Sequence, residues 1–494
     1  MKSVLRSTLI LSSSAVASIG VGLISAKAGA LLLGPAGLGV MGLLQSVVSI
    51  GTLAAGVGIS TGVVRYGANY LAHDDHGQAA ALFRAAWQWV LIFGGLAALA
   101  LVALRAPLSR LMFGSEAYSV SLALMALALL FSLAGSVQSA ILNAYHRVAA
   151  LARLQVLTSV LGTAGSLAII WIWRGAGIAP ALVAISLLSW IVAAVLAGRE
   201  QIQPAVRPRA GETAAAARQL LRFALPYTAS MLVGTGVQMA LPVLIVNTIG
   251  QTPEESASYV GFYRAATVIS VSYLGFLLSV LGQDYYPRVS AVSDQPAVLA
   301  KLVNEQHRLV LLLAGPMILL VLALTPILVP LIYSREFLPS VDILEWYLIG
   351  DLLRFTSWTI GFVVLARSSS IKLFLIELLL GINTLVASWL GMRFLGLPGL
   401  GVGFLFTYIV HYLVVWRIVK RDIGLVLTKE NLWLLGMCLA GAALIRALPM
   451  VGMEAVRTPV ALVLAGVGGL AAAQLLWREM GGVQMLRAWL GRAV

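Results

Sequence analysis

Residues 176–198 contain no charged side chain, and apolar stretches of similar length recur along almost the whole chain. A helix that crosses a bilayer needs about 20 predominantly apolar residues. With 494 residues, 60% of them apolar and 11% charged, the chain has room for about fourteen such helices and little else. Ordinary soluble domains carry about 25% charged residues, so a soluble fold is excluded. The expected fold class is an all-α integral membrane protein. The expected spans are 8–33, 39–66, 85–106, 117–144, 150–172, 176–198, 222–248, 259–283, 307–331, 343–366, 371–393, 398–420, 431–448 and 458–477. The first reads as a span rather than a secretory signal, because its apolar run continues past the cleavage-like Ala26-Lys27-Ala28 to Leu33.

The net charge of +14 is mostly an orientation signal. Cytoplasmic loops of membrane proteins carry an excess of Lys and Arg. Placing the N-terminus inside puts 23 of the 33 basic residues on the cytoplasmic side and 7, among them Arg446 and Arg457, outside; Lys27, Arg264 and Arg354 fall within spans. Both termini are therefore expected in the cytoplasm, and the basicity calls for no nucleic-acid partner. The single cysteine, Cys438, rules out an intrachain disulfide and a Cys-rich metal site.

The basic, Pro- and Gly-containing segment 199–222 divides the chain into an N-lobe of six spans, 1–198, and a C-lobe of six, 223–420. Residues 421–494 add two further spans and a tail whose Val483, Leu486, Trp489 and Leu490 share one helical face. The lobes repeat. Gly42-Leu43-Leu44-Gln45 corresponds to Gly261-Phe262-Tyr263-Arg264 at an offset of 219, which also carries Arg65 onto Asp284. Six spans per repeat gives both lobes the same orientation, as in the parallel repeats of some transporters.

Ionisable groups inside spans are functional candidates, because each costs several kcal/mol unless it meets water or a partner. Lys27 and Arg264 lie at matched depth in opposite lobes, and with Arg354 they would suit an anionic group rich in oxygens. Arg65 stands at the cytoplasmic mouth. Asp284, Asp351 and Glu377 are candidates for ion coupling, with H+ or Na+ as the coupling ion and no other cofactor. Asp351 and Arg354, one turn apart, could equally form a structural ion pair. The polar residues Gln45, Asn143, Asn247 and His411 are candidate glycan contacts, the alternative being interhelical bonding. Gly51, Ala55, Gly58 and Gly62 are spaced for close helix packing.

Leu33-Gly34-Pro35-Ala36-Gly37-Leu38-Gly39 and Gly62-Val63-Val64-Arg65-Tyr66 resemble the first two helices of Wzx-type flippases of the MOP exporter superfamily. Val260-Gly261-Phe262-Tyr263-Arg264 and Asp284-Tyr285-Tyr286-Pro287-Arg288 are similar to the matching signature in the second half. The resemblance extends over about residues 5 to 420; the last two helices depart from the twelve-helix pattern. It implies a V-shaped molecule of two six-helix bundles around a cationic cavity. Its implied substrate is an undecaprenyl-diphosphate-linked oligosaccharide, an O-antigen, common-antigen or exopolysaccharide unit. The implied setting is the bacterial inner membrane, beside a polymerase and chain-length regulator of the same pathway. Two other functions compete. A MATE-like multidrug antiporter would need acidic or aromatic cavity residues, whereas basic groups dominate at depth here. A membrane glycan polymerase or ligase would need a large extramembrane loop or a cluster of acids and His, and no connection exceeds the 199–222 segment.

Overall fold

The computed structural model describes residues 2–56, 58–200, 211–367 and 370–479, and all regular secondary structure among them is helical. In hydrocarbon every backbone N–H and C=O must be satisfied within the chain, and the α-helix does so segment by segment. The order is α1 (Lys2–Gly56), α2 (Ile59–Ala72), α3 (His76–Trp89), α4 (Gly95–Ala103), α5 (Arg105–Phe113), α6 (Ser119–Ala144), α7 (Val148–Trp173), α8 (Ile178–Arg199) and α9 (Glu212–Thr248). There follow α10 (Pro253–Thr267), α11 (Gly275–Ala291), α12 (Pro296–Ile332), α13 (Ser340–Arg367), α14 (Ser370–Leu395), α15 (Gly399–Ile423), α16 (Lys429–Ala447) and α17 (Glu454–Glu479). Single π-helical segments join α3 to α4 and α10 to α11.

Among the described residues, eleven helical stretches are long and apolar enough to cross a membrane. Ser18–Gly56 takes in most of the first expected span and the start of the second, and Val148–Arg199 holds the fifth and sixth. The seventh lies in α9, and among the described residues each expected span lies mostly in helix. The boundaries differ in instructive ways. The loop expected between residues 33 and 39 is one residue wide: α1 continues through it with a single break at Gly34, φ 65° and ψ −173°, a conformation open essentially to glycine alone. The second span is interrupted, because Gly58 takes a left-handed φ of 62° and starts α2. Gly51 does pack closely, since a Cβ there would lie 2.2 Å from Leu129 of α6. The tail from 482 onward and residues 201–210 of the linker lie outside the described residues, and the linker's end from Glu212 is already helix.

By Cα proximity the chain forms two compact units, residues 1–264 with 332–336, and residues 265–331 with 337–494. In the first, α1 packs on α6 and α7, α6 on α8, and α9 on α1, α2, α3 and α5. The core holds Leu82, Phe83, Trp89, Leu129, Leu142 and Leu220. Trp89 donates its indole N–H to the Ala55 carbonyl at 2.8 Å, at the end of α1. In the second unit α13 is the hub, packed on α11, α15 and α16. Its interior is unusually polar for a membrane helix, with Asp351, Thr356, Ser357 and Thr359 all at most 1% exposed.

The two C-terminal helices are tied into this second unit at both ends. Glu345 of α13 is 1% exposed and pairs with Arg457 of α17 and with Arg446 of α16, the latter at 3.1 Å. Thr325 of α12 donates to the same carboxylate. At the other end Asn304 of α12 donates to the Val426 carbonyl and accepts from the backbone N–H of Thr428. Arg446 and Arg457, counted above among outer-loop charges, thus lie inside helices against a carboxylate more than 100 residues earlier, a pairing that sequence spacing does not reveal.

Candidate functional site

A chamber of about 880 Å3 lies in the first unit, walled by α1, α2, α6, α7 and α8. Three of the expected site residues line it: Gln45 from α1, Arg65 from α2 and Asn143 from α6. All three are exposed, inside an otherwise apolar unit. Arg65 is the one charged side chain among the described lining residues, and its guanidinium stands 5.7 Å from the Tyr66 ring centre. The rest of the polar wall consists of hydroxyls, including Ser49, Ser60, Thr61, Ser136, Ser139 and Ser189. A second cavity of about 420 Å3 adjoins it and shares Leu151, Thr158, Ile185 and Ser189. The sequence reading passed over the hydroxyls. The signal was present in α6, where Ser132, Ser136, Ser139 and Asn143 recur every three or four residues and so share one helix face.

The other expected residues are placed as follows. Arg264, on α10, donates to the side-chain oxygen of Gln45. These are the two residues that the repeat offset of 219 superposes. Around them α1 and α10 cross at the closest approach a backbone permits: a Cβ on Gly39 would lie 1.8 Å from the Ala257 carbonyl oxygen, and one on Gly261 would lie 2.1 Å from the Pro35 carbonyl oxygen. Lys27 is half-buried on α1. Neither Lys27 nor Arg264 is among the described residues lining the chamber. Asn247 commits its amide hydrogens to the carbonyls of Leu111 and Val243, at 3.0 and 2.7 Å, joining α9 to α5.

The remaining residues belong to the second unit. Arg354 donates to Asp351 at 2.8 Å, and Ser270, presented by the π-helical segment after α10, donates to the other carboxylate oxygen at 2.6 Å. Asp351 is wholly buried and Arg354 largely so, so the ion pair weighed from their spacing is formed. His411 approaches the Ser357 hydroxyl at 3.3 Å. That hydroxyl also bonds the Arg354 carbonyl one turn earlier on α13. Asp284 is exposed and pairs with Arg288 one turn on. Glu377 lies on an exposed face of α14.

Residues 30–342 match the family described as polysaccharide biosynthesis protein. The chain belongs to this family. Within reach of it, the lipid III flippase of Escherichia coli strain K12 is 26% identical over 415 residues, covering 83% of this chain and 96% of that protein. The lipid III flippase of Shigella flexneri matches equally well. Among solved structures, the lipid II flippase MurJ in an inward closed conformation superposes with a TM-score of 0.64 at 11% identity, over 96% of this chain and 99% of that one. An inward-facing MATE multidrug resistance transporter of the MOP superfamily does so with 0.60 at 15% identity, over 82% and 94%. At these identities the likeness is one of fold. The resemblance drawn from the Gly-Pro and Asp-Tyr-Tyr-Pro-Arg segments is thereby confirmed at the level of family. Because the MurJ superposition takes in 96% of this chain, it extends into α16 and α17.

Proposed function

We propose that the protein is a flippase for lipid-linked glycans and not an enzyme. The observation that carries this reading is the hydroxyl-lined chamber with its single guanidinium, enclosed by membrane-spanning helices of a polysaccharide biosynthesis family member. A diphosphate and its sugars cannot cross hydrocarbon unaided, because burying unpaired charge costs tens of kcal/mol in the idealised limit. A polar chamber offers them partners while the polyprenyl chain stays in lipid. In the finer reading the cargo is an undecaprenyl-diphosphate-linked repeat unit, moved from the cytoplasmic to the periplasmic leaflet of the bacterial inner membrane by alternating access, with both termini in the cytoplasm. Arg65 receives the diphosphate, and Lys27 and Arg264 hold it during passage, Arg264 exchanging Gln45 for phosphate oxygens. Proton or sodium coupling runs through Asp284, Asp351 or Glu377. A polymerase and a chain-length regulator act on the product. The names of the lipid III and lipid II flippases support the substrate class.

The MATE-like alternative is disfavoured by the wall itself: no carboxylate is among the described lining residues, and an organic cation would meet only Arg65. The test is complementation of a flippase-deficient strain. The pair Lys27→Ala and Arg264→Ala abolishes translocation while the protein still accumulates in the membrane; undiminished translocation would sink the assignment. Asp351→Asn keeps an oxygen acceptor for Ser270 and Arg354 but removes the charge facing a buried guanidinium, so it is expected to lower thermal stability and, in protein that still accumulates in the membrane, to remove dependence on an imposed ion gradient if Asp351 is the coupling group.

A further inference from the structure

We infer that the chamber's uncharged hydroxyl wall is a subsite for the glycan itself, fitted to an extended, electrically neutral oligosaccharide; this rests on the flippase reading above. In the spans elsewhere, many hydroxyls are spent on their own helix. Ser46 donates to the Gly42 carbonyl at 2.9 Å, Thr356 to Leu352, Thr384 to Leu380 and Thr407 to Gly403. Such back-bonding is what a hydroxyl does when no better partner is at hand. Around the chamber Ser132 donates to Ser186 and Ser186 to the Leu182 carbonyl, but most of the wall's hydroxyls are not spent in this way. Ser49, Ser60, Thr61, Ser136, Ser139 and Ser189 make no side-chain hydrogen bond among the described residues, and neither does Asn143. On the shared wall of the two cavities the Thr158 hydroxyl is buried without a partner. These groups can donate and accept in turn, which is the complement of a sugar hydroxyl.

The arrangement also selects. From Ser132 to Asn143 the polar face of α6 runs for about 16 Å at 1.5 Å per residue, longer than one sugar ring, and the adjoining cavity prolongs the wall along α7 through Gln155, Thr158 and Thr163. With no carboxylate to pair an amino sugar's charge and with Arg65 engaged by phosphate, charged sugars would leave an ion unmatched, a cost that discriminates strongly against them.

The experiment uses the full-length protein in liposomes and two probes: polyprenyl diphosphate carrying a single N-acetylglucosamine, and the same lipid carrying a neutral trisaccharide. Combining Ser136→Ala, Ser139→Ala and Ser189→Ala should slow movement of the trisaccharide lipid by about tenfold or more while leaving the monosaccharide lipid within about twofold. Movement of the monosaccharide lipid reports that the variant is folded. Equal losses for both probes, or no loss for either, would overturn the subsite. Should the unmodified protein move neither probe, the flippase reading itself falls. The subsite is then judged by thiol labelling of Ser139→Cys in a Cys438→Ser background: protection by the trisaccharide lipid but not by the monosaccharide lipid upholds it, and absence of protection overturns it.

Discussion

Gly34 shows how one residue sets the course of the longest helix. Its φ of 65° with ψ of −173° lies where a Cβ is not tolerated, and Pro35 follows to restart the helix with a fixed φ. Gly34→Ala is therefore expected to cost on the order of 1–3 kcal/mol, read as a lower melting temperature of the detergent-solubilised protein. The Gly-Pro pair was visible in the sequence and correctly marks a change of direction, but its expression as a one-residue break rather than a loop was not, because the apolar residues on both sides remain good helix formers. The site was legible in the same partial way. Arg65, Gln45 and Asn143 stand out as polar residues in apolar surroundings, whereas serines blend into a membrane helix: the same side chain bonds back to its own helix at Ser46 and faces the chamber at Ser136, a difference that only the three-dimensional structure reveals.

At the scale of elements, Glu345 is the buried carboxylate that α16 and α17 share. Removing Glu345 would leave two guanidiniums, both at most 13% exposed as side chains, without their main partner. Breaking a buried ion pair from one side costs about 3–5 kcal/mol. Glu345→Ala should thus lower thermal stability in detergent markedly, while a variant in which Glu345, Arg446 and Arg457 are all replaced by leucine or methionine recovers much of the loss. The close crossing of α1 and α10 makes a different demand. Gly39→Val or Gly261→Val cannot fit against the facing carbonyl, so α10 is held off α1 and a cysteine placed at Gln45 should react faster with a soluble thiol reagent than in the parent. An unchanged labelling rate would mean the crossing tolerates bulk.

Over the whole molecule, what the sequence conveyed best was what the bilayer demands: span length and helical class both follow from uninterrupted apolar runs. What it concealed were ties between distant segments. The 104 residues between Asp342 and Arg446 and the 122 between Asn304 and Val426 leave no periodic trace, and they decide that the C-terminal pair is an integral part of its unit rather than an appendage. Deleting residues 429–479 should accordingly reduce the amount of protein in the membrane several-fold, since losses of even 1–2 kcal/mol act on abundance to that degree.

The bond between Gln45 and Arg264 also bears on the order of assembly. It joins positions 219 apart in the sequence, and a contact at that separation closes a long loop before it rewards the chain. The helices between them can pack locally at far smaller entropic cost. The crossing of α1 and α10 is therefore expected to form after its neighbours, so that the first helix of the chain waits longest for one of its partners.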